Sequence, residues 1–194
     1  MLRQKINVGK MRGKTNKYSF VFDLDNTLVE TDRANNLSYM AAIKDVLKYD
    51  VTMSDKNRFT RNNLYGVYPD LSKEQFNEIV TAKNAFFSTY MSETNLNINL
   101  VKVLRALHNS GCETILSTYC HRERALSICS YYGITSLFTE MLFREDSNGG
   151  TKYDALKRRG YDLGSLILFE NEADSAAEAE TQGVNRKNII CVKF

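Results

Sequence analysis

The regular alternation of short apolar runs with helix-patterned segments between residues 97 and 192 restricts this chain more than any other feature. Residues 98 to 108 set Ile98, Val101, Leu104 and Leu107 on one helical face and stop before Gly111, and Thr114-Ile115-Leu116-Ser117 follows as a strand. Residues 122 to 132 read as a second helix ended by Gly133, residues 137 to 143 contain a strand, and residues 152 to 159 form a helix ended by Gly160. Leu166-Ile167-Leu168-Phe169 is apolar throughout, as a strand buried on both faces must be. A helix over 174–182 stopping at Gly183 and a strand at 189–192 complete the series. This order predicts crossovers between parallel strands and a sheet covered on both faces, the doubly wound α/β class. Ligands of such sheets sit beyond the carboxyl ends of the strands, so the residues that end each strand carry the functional expectations.

Tyr18-Ser19-Phe20-Val21-Phe22 is the first strand of the series and breaks off at Asp23. Between it and residue 98 the alternation is interrupted by a stretch that reads as helical. Leu37, Met40, Ile43 and Leu47 fall at helical spacing within 35–48, Ser54 is placed to cap a short helix reaching Leu64 before Gly66, and Pro69 lies in the next connection. Ser72 and Gln75 make a capping box for a third helix, with Phe76, Ile79, Val80, Phe86, Phe87 and Tyr90 as its apolar stripe. The expected organisation is a basic arm at 1–17, an α/β core at 18–29 and 98–194, and a helical cap at 30–97.

The composition is that of a soluble globular chain, 43% hydrophobic and 25% charged with one proline, which excludes collagen-like and low-complexity classes. No run approaches the ~20 apolar residues of a membrane span, and the N-terminus lacks the apolar stretch of a secretory signal, so a cytoplasmic protein without membrane contact is expected. The net charge of +3 is unevenly spread. Residues 1–17 hold six basic residues and no acid, which leaves 20 basic against 23 acidic residues in the rest. Such an arm is either a solvated extension or a contact for nucleic acid or another polyanion. Four cysteines without a C-x-x-C pair and only two histidines argue against a zinc site.

The chemistry concentrates at Asp23-Leu24-Asp25-Asn26-Thr27. Two carboxylates two residues apart on an extended segment point to one side, and their mutual repulsion calls for a cation, for which Mg²⁺ is suited as a hard, oxygen-seeking ion that also draws in phosphate. A pair of turn-forming aspartates is the plainer reading of the same residues. A calcium loop is excluded, because its glycine position holds Leu28 and its terminal glutamate position holds Ala34. Other strand ends supply matching parts. Ser117 and Thr118 stand at a helix entrance suited to a phosphate oxygen. Lys152 follows the flexible Asn148-Gly149-Gly150 and opens a helix, and Glu170 with Asp174 can complete an oxygen cage for the metal. Singly, each of these also has a structural explanation as a helix cap, a surface lysine or an acid favoured at a helix N-terminus.

In this order the sequence resembles the haloacid dehalogenase-like hydrolase superfamily, over residues 18 to 192. Phe22 to Leu28 is similar to its first motif, and residues 172 to 184 look like the stretch running into the helix after its fourth. The insertion after the first motif resembles the small cap of β-phosphoglucomutase-like enzymes and phosphoglycolate phosphatases. The resemblance implies Asp23 as a nucleophile forming an aspartyl-phosphate, Asp25 as the acid that protonates the leaving oxygen and then activates water, and Mg²⁺ as cofactor. It also implies phosphate binding by Ser117, Thr118 and Lys152 and metal binding by Asp23, Asp25, Glu170 and Asp174. One departure is visible: the fourth motif usually begins Gly-Asp, where this chain has Phe169-Glu170, so that Asp174 or a water takes a larger share of the metal.

Arg58 and Arg61, with Asn62, Asn63 and Gly66, resemble the cap loop that contacts substrate, where an arginine fork suits a second anionic group; a solvated helix face explains them equally well. The expected activity is Mg²⁺-dependent hydrolysis of the phosphate monoester of a small metabolite. Two alternatives stand beside it: a phosphomutase, which needs the same residues, and a catalytically weak binding protein in which the altered fourth motif has cost activity and the basic arm docks on nucleic acid or a partner.

Overall fold

The computed structural model describes residues 18–53 and 57–194; the basic arm at 1–17 and the expected cap residue Ser54 lie outside the described residues. The chain runs β1 (Ser19–Phe22), β2 (Val29–Glu30), α1 (Asp32–Leu47), α2 (Arg61–Val67) and α3 (Lys73–Phe86), then a 3-10 stretch (Phe87–Glu93) and β3 (Asn95–Leu96). It continues through α4 (Ile98–Asn109), β4 (Thr114–Ser117), α5 (Arg122–Tyr131), β5 (Glu140–Leu142) and α6 (Lys152–Arg158) to β6 (Leu166–Glu170), α7 (Ala173–Gln182) and β7 (Ile189–Cys191). Five strands form one sheet in the order β5-β4-β1-β6-β7, with every pairing parallel.

The central strands β1, β4 and β6 are covered on both faces because their successive side chains enter different cores. Phe22, Leu116 and Phe169 point into one cluster with Leu104 and Ile128 of α4 and α5, while Val21, Ile115 and Leu168 point into a second with Leu156 and Ala179 of α6 and α7. Phe22 and Phe169 stack with ring centroids 4.5 Å apart, which locks β1 against β6. This is the doubly wound α/β arrangement that the alternation predicts. A third cluster, with Tyr39, Ile43, Leu64 and Ile79, packs α1, α2 and α3 together.

Three local differences from the sequence reading have physical causes. Helix α2 begins at Arg61, not near Ser54, because Thr60 and Asn63 close a capping box there, and it runs past Gly66, so that glycine is no stop. Helix α1 begins at Asp32, three residues before the expected start, because its first turn is fixed by contacts to the segment after β1. Strands β2 and β3 pair antiparallel where the helical insertion leaves and rejoins the sheet domain, two residues each and too short to show a period.

Candidate active site

Asp23 follows the last residue of β1, and its N–H donates to Phe169 O at 3.1 Å, continuing the register with β6. The chain then turns back on itself: Leu24 is fully buried, and its carbonyl accepts from the N–H groups of Thr27, Leu28 and Val29. Asn26 takes the left-handed conformation this turn requires, with φ of 58°, and its side chain holds Thr31 N–H and Asp32. With Leu24 anchored in the core, Asp23 and Asp25 both face a cavity of about 390 Å³ beyond the carboxyl ends of β1, β4 and β6.

Lys152 enters the same cavity from the first position of α6. Its placement comes from the loop before it, where Asn148 and Gly149 are left-handed and Gly150 packs so tightly that a Cβ would stand 2.8 Å from Asp154 Oδ2. Thr151 and Asp154 then close a capping box. The Lys152 ammonium, 3% exposed, donates to Asp23 Oδ1 at 3.1 Å and to Glu170 Oε2 at 2.5 Å. Burial works against its charge, but the two carboxylates outweigh that and raise its pKa, so Lys152 stays protonated. Burial also pushes the Asp23 carboxyl up, with Lys152 pulling it back and Glu170 and Asp25 adding to the rise.

Asp25 has a different environment. Oδ1 accepts from Thr31 Oγ1 at 2.5 Å and lies 3.6 Å from Arg58 Nη2, while Oδ2 accepts from Arg124 Nη2. Burial opposes its ionisation, yet Arg124, Arg58 and the Thr31 hydroxyl hold it well below the usual carboxylate range. Arg124 is itself fixed by Cys120 Sγ and by the Phe87 ring 4.8 Å away.

The structure does not bring all the expected residues to the cavity. Asp23, Asp25, Thr118, Lys152, Glu170, Arg58 and Arg61 line it. Ser117 lies just behind, fully buried, and its Oγ has no hydrogen-bond partner among the described residues. Thr118 N–H is spent on Leu142 O, so Thr118 offers an anion its hydroxyl, whose Oγ1 already accepts from Cys120 N–H. Asp174 is exposed in the first turn of α7 and does not line the cavity, although Glu172 and Ser175 on either side of it do.

Three functional candidates escape sequence reading: Arg124, Asn171 and Lys83. Arg124 is a cation in the first turn of a helix, where the dipole disfavours it. Lys83 falls on the apolar stripe of α3 and is 5% exposed, with the rings of Tyr39 and Phe87 at 5.3 and 5.4 Å. Burial, with Arg124 and Arg58 nearby, pushes its pKa down from 10.5 to about 7. A lysine so depressed weakens the fold wherever the unfolded chain binds the extra proton. The penalty is therefore full below pH 7 and fades as pH rises towards 10.5. Lys83→Met is expected to raise stability at neutral pH by about 1 to 2 kcal/mol, read as a higher melting temperature whose gain shrinks in alkaline buffer.

Among the described residues no three His, Cys, Asp or Glu side chains gather as a ready-made metal cage. The oxygens of Asp23, the Asp25 carbonyl, Glu170 and the amide of Asn171 nonetheless converge at the ends of β1 and β6. Thr27 Oγ1 stands 3.2 Å from Asp23 Oδ2, and one terminal atom of the Asn171 amide stands 3.2 Å from Asp25 O and 3.3 Å from Glu170 Oε1. An all-oxygen set of carboxylate, carbonyl and amide fits a hard divalent ion such as Mg²⁺.

The sequence profile of the family described as Haloacid dehalogenase-like hydrolase matches residues 20–185. Among curated proteins no relative matches the chain. Among solved structures, one similar to it is a predicted phosphoglycolate phosphatase from Haemophilus somnus 129pt, with 17% identity, a TM-score of 0.72, and 91% of this chain and 85% of that one covered. CbbY from Rhodobacter sphaeroides in complex with phosphate is similar at 14% identity and TM-score 0.72, over 91% and 86% of the two chains. A candidate β-phosphoglucomutase from Thermotoga maritima is similar at 17% identity and TM-score 0.66, with the same coverage. These identities establish a shared fold. No helix among the described residues is long and apolar enough to cross a membrane.

Proposed function

The chain belongs to the haloacid dehalogenase-like hydrolases, and from that premise we propose that it is a Mg²⁺-dependent phosphatase acting on the phosphate monoester of a small metabolite. The observation that carries this reading is the convergence of Asp23, Asp25, Lys152 and Glu170 on one cavity at the strand ends, two carboxylates of unlike environment beside a buried, permanently charged lysine. Phosphoryl transfer asks for in-line positioning and charge neutralisation more than for covalent ingenuity.

On this reading an Asp23 carboxylate oxygen attacks phosphorus, the bond to the leaving oxygen breaks, and Asp25 supplies the proton that oxygen needs. Asp25, then a base, takes a proton from water as the water attacks the aspartyl-phosphate, which releases phosphate and restores Asp23. Lys152 neutralises the nucleophile in the resting state and offers its charge to the arriving phosphate, with the Thr118 hydroxyl as a further donor. Asp23, the Asp25 carbonyl, Glu170 and Asn171 would hold Mg²⁺, which when bound would further neutralise the phosphate charge. Asp25 is ionised while Arg58 and Arg124 hold it. A substrate whose second anionic group draws Arg58 away frees Oδ1 for the proton, which gives the arginines of the helical insertion a role in choosing the substrate. Phosphate bound to CbbY and the phosphoglycolate phosphatase description support a small phosphorylated metabolite.

The test compares p-nitrophenyl phosphate with acetyl phosphate, whose acidic leaving group needs no proton. Asp25→Asn is expected to lose about 10² to 10⁴-fold in turnover of both, yet to accumulate phosphorylated protein with acetyl phosphate. EDTA is expected to stop phosphate release by the wild type, and excess Mg²⁺ to restore it. Turnover that persists in EDTA, or Asp25→Asn with full activity on the phenyl ester, contradicts the proposal.

A further inference from the structure

The amide of Asn171, directly after β6, meets three oxygens at once. One of its two terminal atoms lies 2.9 Å from Thr27 Oγ1, 3.2 Å from the main-chain O of Asp25 and 3.3 Å from Glu170 Oε1. If that atom is nitrogen, it donates to these oxygens, and the Thr27 hydroxyl is left to donate to Asp23 Oδ2 at 3.2 Å. If it is oxygen, the Thr27 hydroxyl donates to it, but it faces Asp25 O and Glu170 Oε1 with no proton between them. Lone pairs so opposed repel unless a cation stands among them. The two orientations differ by a half-turn of the amide and leave the heavy atoms in place.

We infer that Asn171 is a cation-dependent amide: its nitrogen ties Asp25 to Glu170 when the site holds no cation, and its oxygen turns in as a ligand when a divalent cation binds. Two further contacts make the amide decisive. Glu170 is already engaged on both oxygens, by Lys152 on Oε2 and by the N–H groups of Asn171 and Glu172 on Oε1 at 3.0 and 3.3 Å. Asp174, the other carboxylate expected to serve, is exposed on α7. The cation therefore meets a neutral amide at a position where a carboxylate would add charge, and its entry breaks the hydrogen bonds the amide nitrogen makes. Cation affinity at oxygen sites follows ligand charge and rigidity, so this site binds more weakly than its aspartate counterpart would. The inference rests on the proposed function only in taking the ligand to be a hard divalent ion.

Binding of Mn²⁺ to the full chain without substrate, read from the spin-resonance signal of the free ion, tests it in wild type, Asn171→Asp and Asn171→Leu. Asn171→Asp is expected to tighten Mn²⁺ binding, and Asn171→Leu to weaken it, each by at least about tenfold. The side-chain NH₂ resonance of Asn171, assigned by its loss in Asn171→Asp, is expected to shift as Mg²⁺ is added and to saturate with binding. Equal Mn²⁺ affinity of wild type and Asn171→Leu overturns the inference. So does an unmoved Asn171 resonance at saturating Mg²⁺, or binding by Asn171→Asp with none by the wild type. Catalysis is not read in any arm. A chain that binds as expected but turns over no phosphate ester therefore contradicts the proposed function and leaves this inference standing.

Discussion

Asp23→Asn lowers kcat/KM for phosphate esters by at least about 10⁴-fold and leaves the fold intact, because the substitution removes the attacking oxyanion and little else. The amide keeps a carbonyl oxygen for Lys152, whose charge is still matched by Glu170 at 2.5 Å, and the Thr27 hydroxyl keeps an acceptor nearby. The β1 register through Phe169 O is a backbone contact and is untouched. Circular dichroism and melting temperature within a few degrees of wild type are expected together with the lost turnover. A variant that keeps a tenth of the activity would show that Asp23 holds the site together without taking the phosphoryl group.

The largest expected effect on stability comes from Lys152→Ala. The lysine is 3% exposed, and it separates two buried carboxylates that have no other cation within salt-bridge distance among the described residues. Removing it strands them in a medium where an unpaired charge is costly, a loss of about 3 to 5 kcal/mol. For a chain of this size that lowers the melting temperature by about 6 to 20 °C. Coupling distinguishes this cause from simple loss of packing. Lys152→Met combined with Glu170→Gln removes one stranded charge together with the cation, so the pair is expected to cost less than the sum of its single variants. Additive effects would mean that the ammonium contributes bulk alone. Because burial already pushes Asp23 up, protonation of the stranded Asp23 carboxyl relieves Lys152→Ala in acid, and its deficit against wild type narrows as pH falls.

How far the sequence speaks depends on whether a residue is positioned by its neighbours or by distant chain. Asp23 and Asp25 were legible because an apolar strand, a buried Leu24 and a polar turn act within a few residues. Lys152 was legible as the opening of a helix from the Asn148-Gly149-Gly150 loop before it, while the Thr151 and Asp154 capping box that fixes it there shows only in the fold. The sheet follows from strands apolar on both faces. Spacing alone does not say where a strand end turns into a helix, and three intervening residues carry Asp174 to an exposed turn. Arg124 and Lys83 are cations at positions where local rules disfavour them, a helix N-terminus and an apolar stripe. Such conflicts are expected at functional or strained sites, where a local preference is overridden. Asn171 carries no such conflict, and its partners come from β1, so only the folded arrangement reveals it.

The most direct measurement is the chemical identity of the phosphorylated residue during turnover. Acid quenching of the full chain with acetyl phosphate, followed by borohydride reduction, converts an aspartyl-phosphate to homoserine, which peptide mass spectrometry locates. That conversion is expected at residue 23 alone, absent without Mg²⁺ and enhanced in Asp25→Asn. Substrate consumed at full rate with residue 23 unmodified, or the label on another side chain, would contradict it.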